Sequence, residues 1–210
     1  MCPLRMRWRL LNLLEAKVLI LIVTAVVALF VASPALQRVL VYPRTEFFSE
    51  FWLLGPGHMA EDIPYNLTRG QSYNMYLGIG NQLGSLAYYE VQVKFRNSSQ
   101  SAPDSFNRTM SSLPPLYNVY FFVADQETRE MPFTFGFDYF YDSNSSLVRF
   151  DSLTFNGVRL SLSGLSTMWD SNRTAYYGNL VFELWIYNET IGGFQYHERY
   201  VDLKFNMTTV

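Results

Sequence analysis

Polar and apolar residues alternate along most of this chain. In YYEVQVKFR (88–96), Tyr89, Val91, Val93 and Phe95 fall on one side and Glu90, Gln92, Lys94 and Arg96 on the other. That period of two predicts a half-buried strand. It recurs in PFTFGFDYFY, where Phe133, Phe135, Phe137, Tyr139 and Tyr141 oppose Thr134, Gly136 and Asp138. In NLVFELWIYN, Phe182, Leu184 and Ile186 oppose Glu183, Trp185 and Tyr187; in RYVDLKFN, Val201, Leu203 and Phe205 share a side. Further strands are predicted at 46–54, 71–80, 117–124 and 147–160, the last divided by an Asn156-Gly157 hairpin turn. Eight or nine short strands with frequent turn residues predict an all-β sandwich. Its charged sides read as solvated sheet surfaces, and residues 96–115 and 170–174 as exposed loops.

The beginning of the chain is different. From Val18 to Ala32 every residue except Thr24 is apolar. A bilayer-crossing helix needs about 20 such residues. Leu10, Leu11, Leu13 and Leu14 extend the run upstream; Ala35, Leu36, Val39 and Leu40 extend it downstream. Lys17 can reach water from the lipid edge, Trp8 suits an interface, and Pro34 predicts a kink or an end. Arg5, Arg7, Arg9 and Lys17, offset by Glu15, precede the run, and Arg38 and Arg44 follow it. That excess predicts a cytoplasmic N-terminus and a single-pass cell-membrane protein. The expected organisation is a short cytoplasmic N-terminus (1–9), a transmembrane anchor region (10–40) and an extracytoplasmic β domain (44–210). The alternatives are a signal peptide cleaved after Ser33 or Ala35 and a buried soluble helix.

Composition narrows the function. A net charge of −2 and a pI near 5.7 argue against a nucleic-acid partner. Cys2 is the chain's one cysteine, so packing rather than an intrachain disulfide holds the domain together. Seven Asn-x-Ser/Thr triplets start at Asn66, Asn97, Asn107, Asn144, Asn172, Asn188 and Asn206, none before the apolar run. Chance placement gives about two. The excess predicts N-linked glycans on an outside domain, although turn-rich β proteins are themselves rich in Asn, Ser and Thr.

Candidate chemistry is sparse. His58 beside Glu61 and Asp62 is a loose metal-ligand set, with an exposed turn as the plainer reading. His197 reads as surface or edge. Asp138, Asp142 and Asp151 are carboxylates for sugar chemistry that no spacing pairs. No Gly-x-Ser-x-Gly elbow, phosphate loop or His-Glu-x-x-His helix occurs. The expectation is a non-enzyme without a metal or cofactor. Tyr88, Tyr89, Tyr117 and Tyr120 are aromatic candidates for a platform. Trp169, Tyr176, Tyr177 and Trp185 are the candidate interaction surface, weighed against the large side chains any sandwich core requires.

Residues 45–81 carry a pattern that resembles the DUF1616 family of predicted archaeal membrane proteins. It comprises Thr45-Glu46-Phe47, Leu54-Gly55-Pro56, Glu61-Asp62-Ile63-Pro64, Asn66-Leu67-Thr68, Gly70 and Gly78-Ile79-Gly80-Asn81. MPFTFGF and LVFELWIYN resemble that family's last strands. The resemblance implies an extracytoplasmic immunoglobulin-like β-sandwich in an archaeal envelope and brings no activity. Its members often carry several membrane helices; this chain shows one. The expected function is a non-enzymatic, membrane-anchored interaction or structural module, an accessory subunit of a membrane or envelope complex. Its partners would be membrane lipid and other membrane or envelope proteins. The alternatives are polysaccharide or glycolipid recognition and an envelope hydrolase.

Overall fold

The structure, a computed structural model, describes residues 4–40 and 46–208, with side chains for 15–33 and 46–208. Cys2 and Arg44 lie outside the described residues, as do the side chains of Trp8, Pro34 and Arg38. The chain forms two compact units, Met1–Glu46 and Phe47–Val210.

The first unit is one helix, α1 (Leu4–Leu40). Within it Glu15–Ser33 is long and apolar enough to cross a membrane, with a mean hydropathy of 2.6. The helix takes in residues 4–9 as well as the expected anchor region, and it does not end at Pro34. Ala35, Leu36, Gln37 and Arg38 are all good helix formers, so nothing beyond the proline itself interrupts the helix there. Thr24 donates its hydroxyl to the Ile20 carbonyl, which removes that polar group from an otherwise apolar surface.

The second unit is mostly β. Its strands are β1 (Phe48–Leu54), β2 (Asn66–Leu67), β3 (Tyr73–Gln82), β4 (Ala87–Asn97), β5 (Tyr117–Val123), β6 (Thr128–Asp142), β7 (Leu147–Phe155), β8 (Val158–Ser161), β9 (Ser166–Asp170), β10 (Ala175–Asn188) and β11 (Gly193–Met207). The period-two stretches account for nearly all of them; β2 and β9 have no counterpart in the expected set. Asn156 and Gly157 both take positive φ, 48° and 77°, the geometry of a tight hairpin turn.

The strands form one hydrogen-bonded sheet in the order β1-β3-β6-β7-β9-β10-β11-β2, with β8 on β7 and β5-β4 on β10. Only Ala175↔Asp170 and Tyr176↔Trp169 join β10 to β9. The sheet curls there, and its halves face each other. Phe133 and Phe137 of β6 meet Phe182 at 5.2 Å and Phe205 at 5.1 Å, and Phe95 of β4 meets Phe150 of β7 at 4.6 Å. Each such buried ring contributes about 1.5–3 kcal/mol. Tyr141 continues the Phe133 stripe but lies past the core and is exposed.

The two ends of the sheet differ. Phe48↔Gln82, Ala87↔Val123, Gly80↔Thr128 and Asn188↔Gly193 place the chain's entry and the turns 83–86, 124–127 and 189–192 at one end. The turns 143–146 and 171–174 and strand β2 lie at the other.

Candidate interaction face

The outward sides of β5, β4, β10 and β11 form a grid fixed by strand register. Phe122, Tyr88, Tyr187 and Phe194 make one row; Tyr120, Glu90, Trp185 and Tyr196 the next; Asn118, Gln92 and Glu183 a third. The rows run from aromatic, at the end where the chain enters, to polar toward the middle of the sheet.

The aromatic row packs on itself. Tyr88 stacks on Phe122 at 4.3 Å and meets Phe194 at 5.0 Å; Tyr187 meets Phe194 at 5.5 Å. Phe122 is nevertheless 56% exposed and Tyr120 51%. Leu86 and Ile191, on the adjoining turns, are also exposed. Leu83, Leu86, Phe122, Ile186, Tyr187 and Glu189 line a cleft of about 590 Å³ beside the row. In the second row the Glu90 carboxylate accepts from Asn118 Nδ2 at 2.8 Å and from the Tyr120 hydroxyl at 3.2 Å.

The polar end is sealed, which corrects the expectation of a solvated charged face. Lys94 is 2% exposed and Glu183 0%, and Lys94 Nζ lies 2.7 Å from Glu183 Oε2. The segment expected as a loose loop folds back over them. Ser111 donates its backbone N–H (2.8 Å) and hydroxyl (2.6 Å) to Glu183 Oε1, and Leu113 is buried. Burial first, with Glu183 nearby, pushes the Tyr196 hydroxyl up to about 12.

The four aromatic residues expected to share a surface are divided. Trp169, half exposed, meets Tyr176 at 5.2 Å, and Tyr176 meets Tyr141 at 5.8 Å, where β9 joins β10. Tyr177 is buried on the side of β10 away from the core rings, with the Arg173 guanidinium 4.4 Å from its ring centre. Trp185 sits in the middle row of the grid against Tyr196 at 5.8 Å. Tyr89 and Tyr117 belong to the interior. Phe122 and Phe194 are the rings that sequence reasoning passed over. The adjacent Phe121 and Phe122 did carry a signal, since in a strand one of the two must face out.

The remaining polar candidates find local partners. His58 Nδ1 bonds Glu130 Oε2 at 2.7 Å and its ring lies on Tyr76 at 3.8 Å, so it pairs with neither Glu61 nor Asp62. No group of three His, Cys, Asp or Glu is placed to hold a metal among the described residues. Arg159 reaches both Asp151 (2.8 Å) and Asp138 (3.6 Å). Asp142 is held down at about 2 by its hydrogen bonds from Ser145 and then Arg149. Of the sequon asparagines, Asn66, Asn107, Asn144 and Asn172 are exposed, and Asn97, Asn188 and Asn206 are half-buried.

His197 is turned inward rather than left on the surface. A bulge in β11 shifts the register, so that Leu184 faces Arg199 while Trp185 faces Tyr196. Glu198 takes φ 57° there, and the two extra residues, His197 and Glu198, leave His197 on the same side as Val201, Leu203 and Phe205. His197 Nε2 lies 2.8 Å from Ser49 Oγ, which lies 2.6 Å from the Tyr89 hydroxyl. Ser49 is fully buried, so the pair fastens β1 to β11 and offers no accessible nucleophile. Burial, then the Arg199 charge, lowers the His197 pKa below its ordinary 6.5. A histidine with a depressed folded pKa favours unfolding once the unfolded chain takes up the proton. Its contribution is complete above pH 6.5 and is lost as pH falls through the folded value. Replacing His197 with Gln is expected to flatten the decline of unfolding free energy below pH 6.5; parallel slopes for the two proteins would exclude this.

A family model described as "Domain of unknown function (DUF1616)" matches residues 43–176. No curated protein matches the chain. Among solved structures, β-glucosidase from Listeria innocua in complex with gluconolactone aligns at 11% identity and a TM-score of 0.35, over 78% of this chain and 17% of that one. The same enzyme with glucose aligns at 12% identity and a TM-score of 0.34, with the same coverage. The chain thus spans about a sixth of those proteins.

Proposed function

The chain belongs to the DUF1616 family, and on that premise we propose that it is a non-enzymatic, membrane-anchored module that binds another envelope or membrane protein. In this reading α1 spans the membrane with its N-terminus inside, and the β unit is an immunoglobulin-like sandwich outside. The observation that carries the binding role is the row Phe122–Tyr88–Tyr187–Phe194 with Leu86 and Ile191 beside it. A folded chain that leaves several large apolar side chains contiguous and half exposed has a surface suited to a protein partner. Tyr88 stacks on Phe122 and the other rings meet at steep angles, so the row is an uneven apolar surface, which suits a protein better than a flat sugar ring. Glu189 at the cleft favours a partner whose rim is basic.

Polysaccharide or glycolipid recognition is the second reading. It is favoured by one observation, the exposed indole of Trp169 propped edge-on by Tyr176 at the far end of the sheet.

The test compares the full chain, extracted from native membranes in mild detergent, with a Tyr88→Ser/Phe122→Ser variant. Proteins retained with each are identified by mass spectrometry. A partner retained by the parent and lost at least about tenfold by the variant, which removes central aromatic contacts, supports the row as the interface. Equal retention by a variant with an unchanged β circular dichroism signal rejects it.

A further inference from the structure

The seven sequons differ in what their side-chain amides already do. An N-linked glycan replaces a hydrogen on asparagine Nδ2 and needs space around it. Asn144 and Asn172 sit in the turns 143–146 and 171–174; only their backbone N–H groups are engaged, with Asp142 and Asp170. Asn66 is exposed and uses only acceptor atoms: its Oδ1 receives Asn206 Nδ2 at 3.0 Å and its carbonyl receives the Tyr73 hydroxyl at 3.4 Å. Asn107 Nδ2 donates to Asp104 at 2.6 Å in an exposed turn, where water competes for the bond.

The other three hold the fold. Asn206 lies in β11 between β10 and β2. Its Nδ2 donates to Asn66, and its Oδ1 receives the Tyr176 backbone N–H at 3.0 Å. The threonine of the same triplet, Thr208, donates its hydroxyl to the Leu67 carbonyl at 2.8 Å. Asn97 Nδ2 bridges to the Ser166 carbonyl at 3.0 Å, while its Oδ1 receives both the N–H and the hydroxyl of Ser99. Asn188 Nδ2 donates to the exposed Gln195 at 3.0 Å, and its Oδ1 receives the Thr190 N–H at 2.8 Å; unlike Asn107, Asn188 is itself half-buried.

We infer that the folded domain accepts N-glycans at Asn66, Asn107, Asn144 and Asn172 and refuses them at Asn97, Asn188 and Asn206. In cells this rests on the outward placement proposed above; the selection itself is a property of the fold. Two consequences follow. Asn66 and Asn206 share one hydrogen bond and are direct cross-strand partners, so the pair carries one glycan at most, on Asn66. Three of the four accepted sites, Asn66, Asn144 and Asn172, crowd the end of the sheet opposite the aromatic row. Asn188, beside Tyr187 at the row's own end, stays bare, and Asn107, whose neighbour Arg108 pairs with Glu198 at 3.3 Å, is the accepted site nearest that end.

The experiment incubates the purified full chain in detergent with a single-subunit oligosaccharyltransferase and a lipid-linked oligosaccharide. Seven short peptides, each holding one sequon, serve as controls. Site occupancy is read by peptide mapping. Relative to its own peptide, each of Asn97, Asn188 and Asn206 is expected to react at least about tenfold more slowly, since each is half-buried and must also give up its Nδ2 hydrogen bond. Asn144 and Asn172 are expected to match their peptides. Modification of Asn188 or Asn206 at the peptide rate overturns the inference, as does a molecule bearing glycans on both Asn66 and Asn206. The chain isolated from native membranes separates the two readings. A protein with no glycan at all there removes the outward placement, while the selection still stands or falls on the purified reaction.

Discussion

Replacing Lys94 with methionine is expected to destabilise the β domain by about 3–5 kcal/mol, the usual cost of stranding one half of a buried ion pair. Lys94 and Glu183 are nearly absent from the surface and lie 2.7 Å apart. Methionine fills most of the lysine's volume, so the loss measures charge rather than packing. Glu183 would keep its two bonds from Ser111 but lose its counter-charge. The carboxylate would then either remain charged in a dry site or take up a proton. The double replacement Lys94→Met/Glu183→Leu removes both charges and is expected to be milder than Lys94→Met alone. It still leaves the Ser111 N–H and hydroxyl without an acceptor, a cost of about 1–3 kcal/mol. Denaturant midpoints followed by tryptophan fluorescence, with the slope held constant, give both values. A Lys94→Met protein within about 1 kcal/mol of the parent would show that the pair is open to water.

The same pair shows where sequence reading stopped. Alternation in YYEVQVKFR and LVFELWIYN put Val91, Val93, Phe182 and Leu184 on one side and Lys94 and Glu183 on the other, and each assignment of side agrees with the structure. What alternation cannot contain is what covers the second side. Lys94 and Glu183 are distant in sequence and become neighbours only through the β4–β10 register. Ser111 reaches them from a segment whose composition says only that it is polar and irregular. His197 was misread for a related reason. Strict alternation from Val201, Leu203 and Phe205 puts His197 on their side, and a two-residue bulge keeps that parity, but nothing in the sequence shows that Ser49 of β1 closes over it. The aromatic row was half legible: Tyr88 and Tyr120 were candidates, but their union with Phe122, Tyr187 and Phe194 depends on three strand pairings, and the one between β4 and β10 joins segments far apart in sequence. The Asn156-Gly157 turn was fully legible, because its geometry is set by two adjacent residues.

Replacing Phe137 with alanine is expected to cost about 3–5 kcal/mol, the range for emptying a fully buried aromatic site. Phe137 is 1% exposed and touches rings from both halves of the curled sheet: Phe150 of β7 at 5.7 Å, Phe95 of β4 at 6.1 Å and Phe205 of β11 at 5.1 Å. Among the described strand pairings the short β9–β10 one alone joins the halves, so side-chain packing carries much of the closure elsewhere. A cavity at residue 137 therefore weakens the closure of the sheet as well as removing apolar contact. Phe140, three residues further along β6, is half exposed, and its replacement with alanine is expected to change stability by no more than about 0.5 kcal/mol. The comparison keeps strand and residue type fixed and varies only burial. Urea titrations of both variants, with near-ultraviolet circular dichroism of the folded baselines, read the difference. Equal midpoints would mean that the halves do not close on Phe137. A low midpoint for Phe137→Ala with a weakened aromatic signal would instead place the clasp of the curled sheet in the rings of β6, β7, β4 and β11.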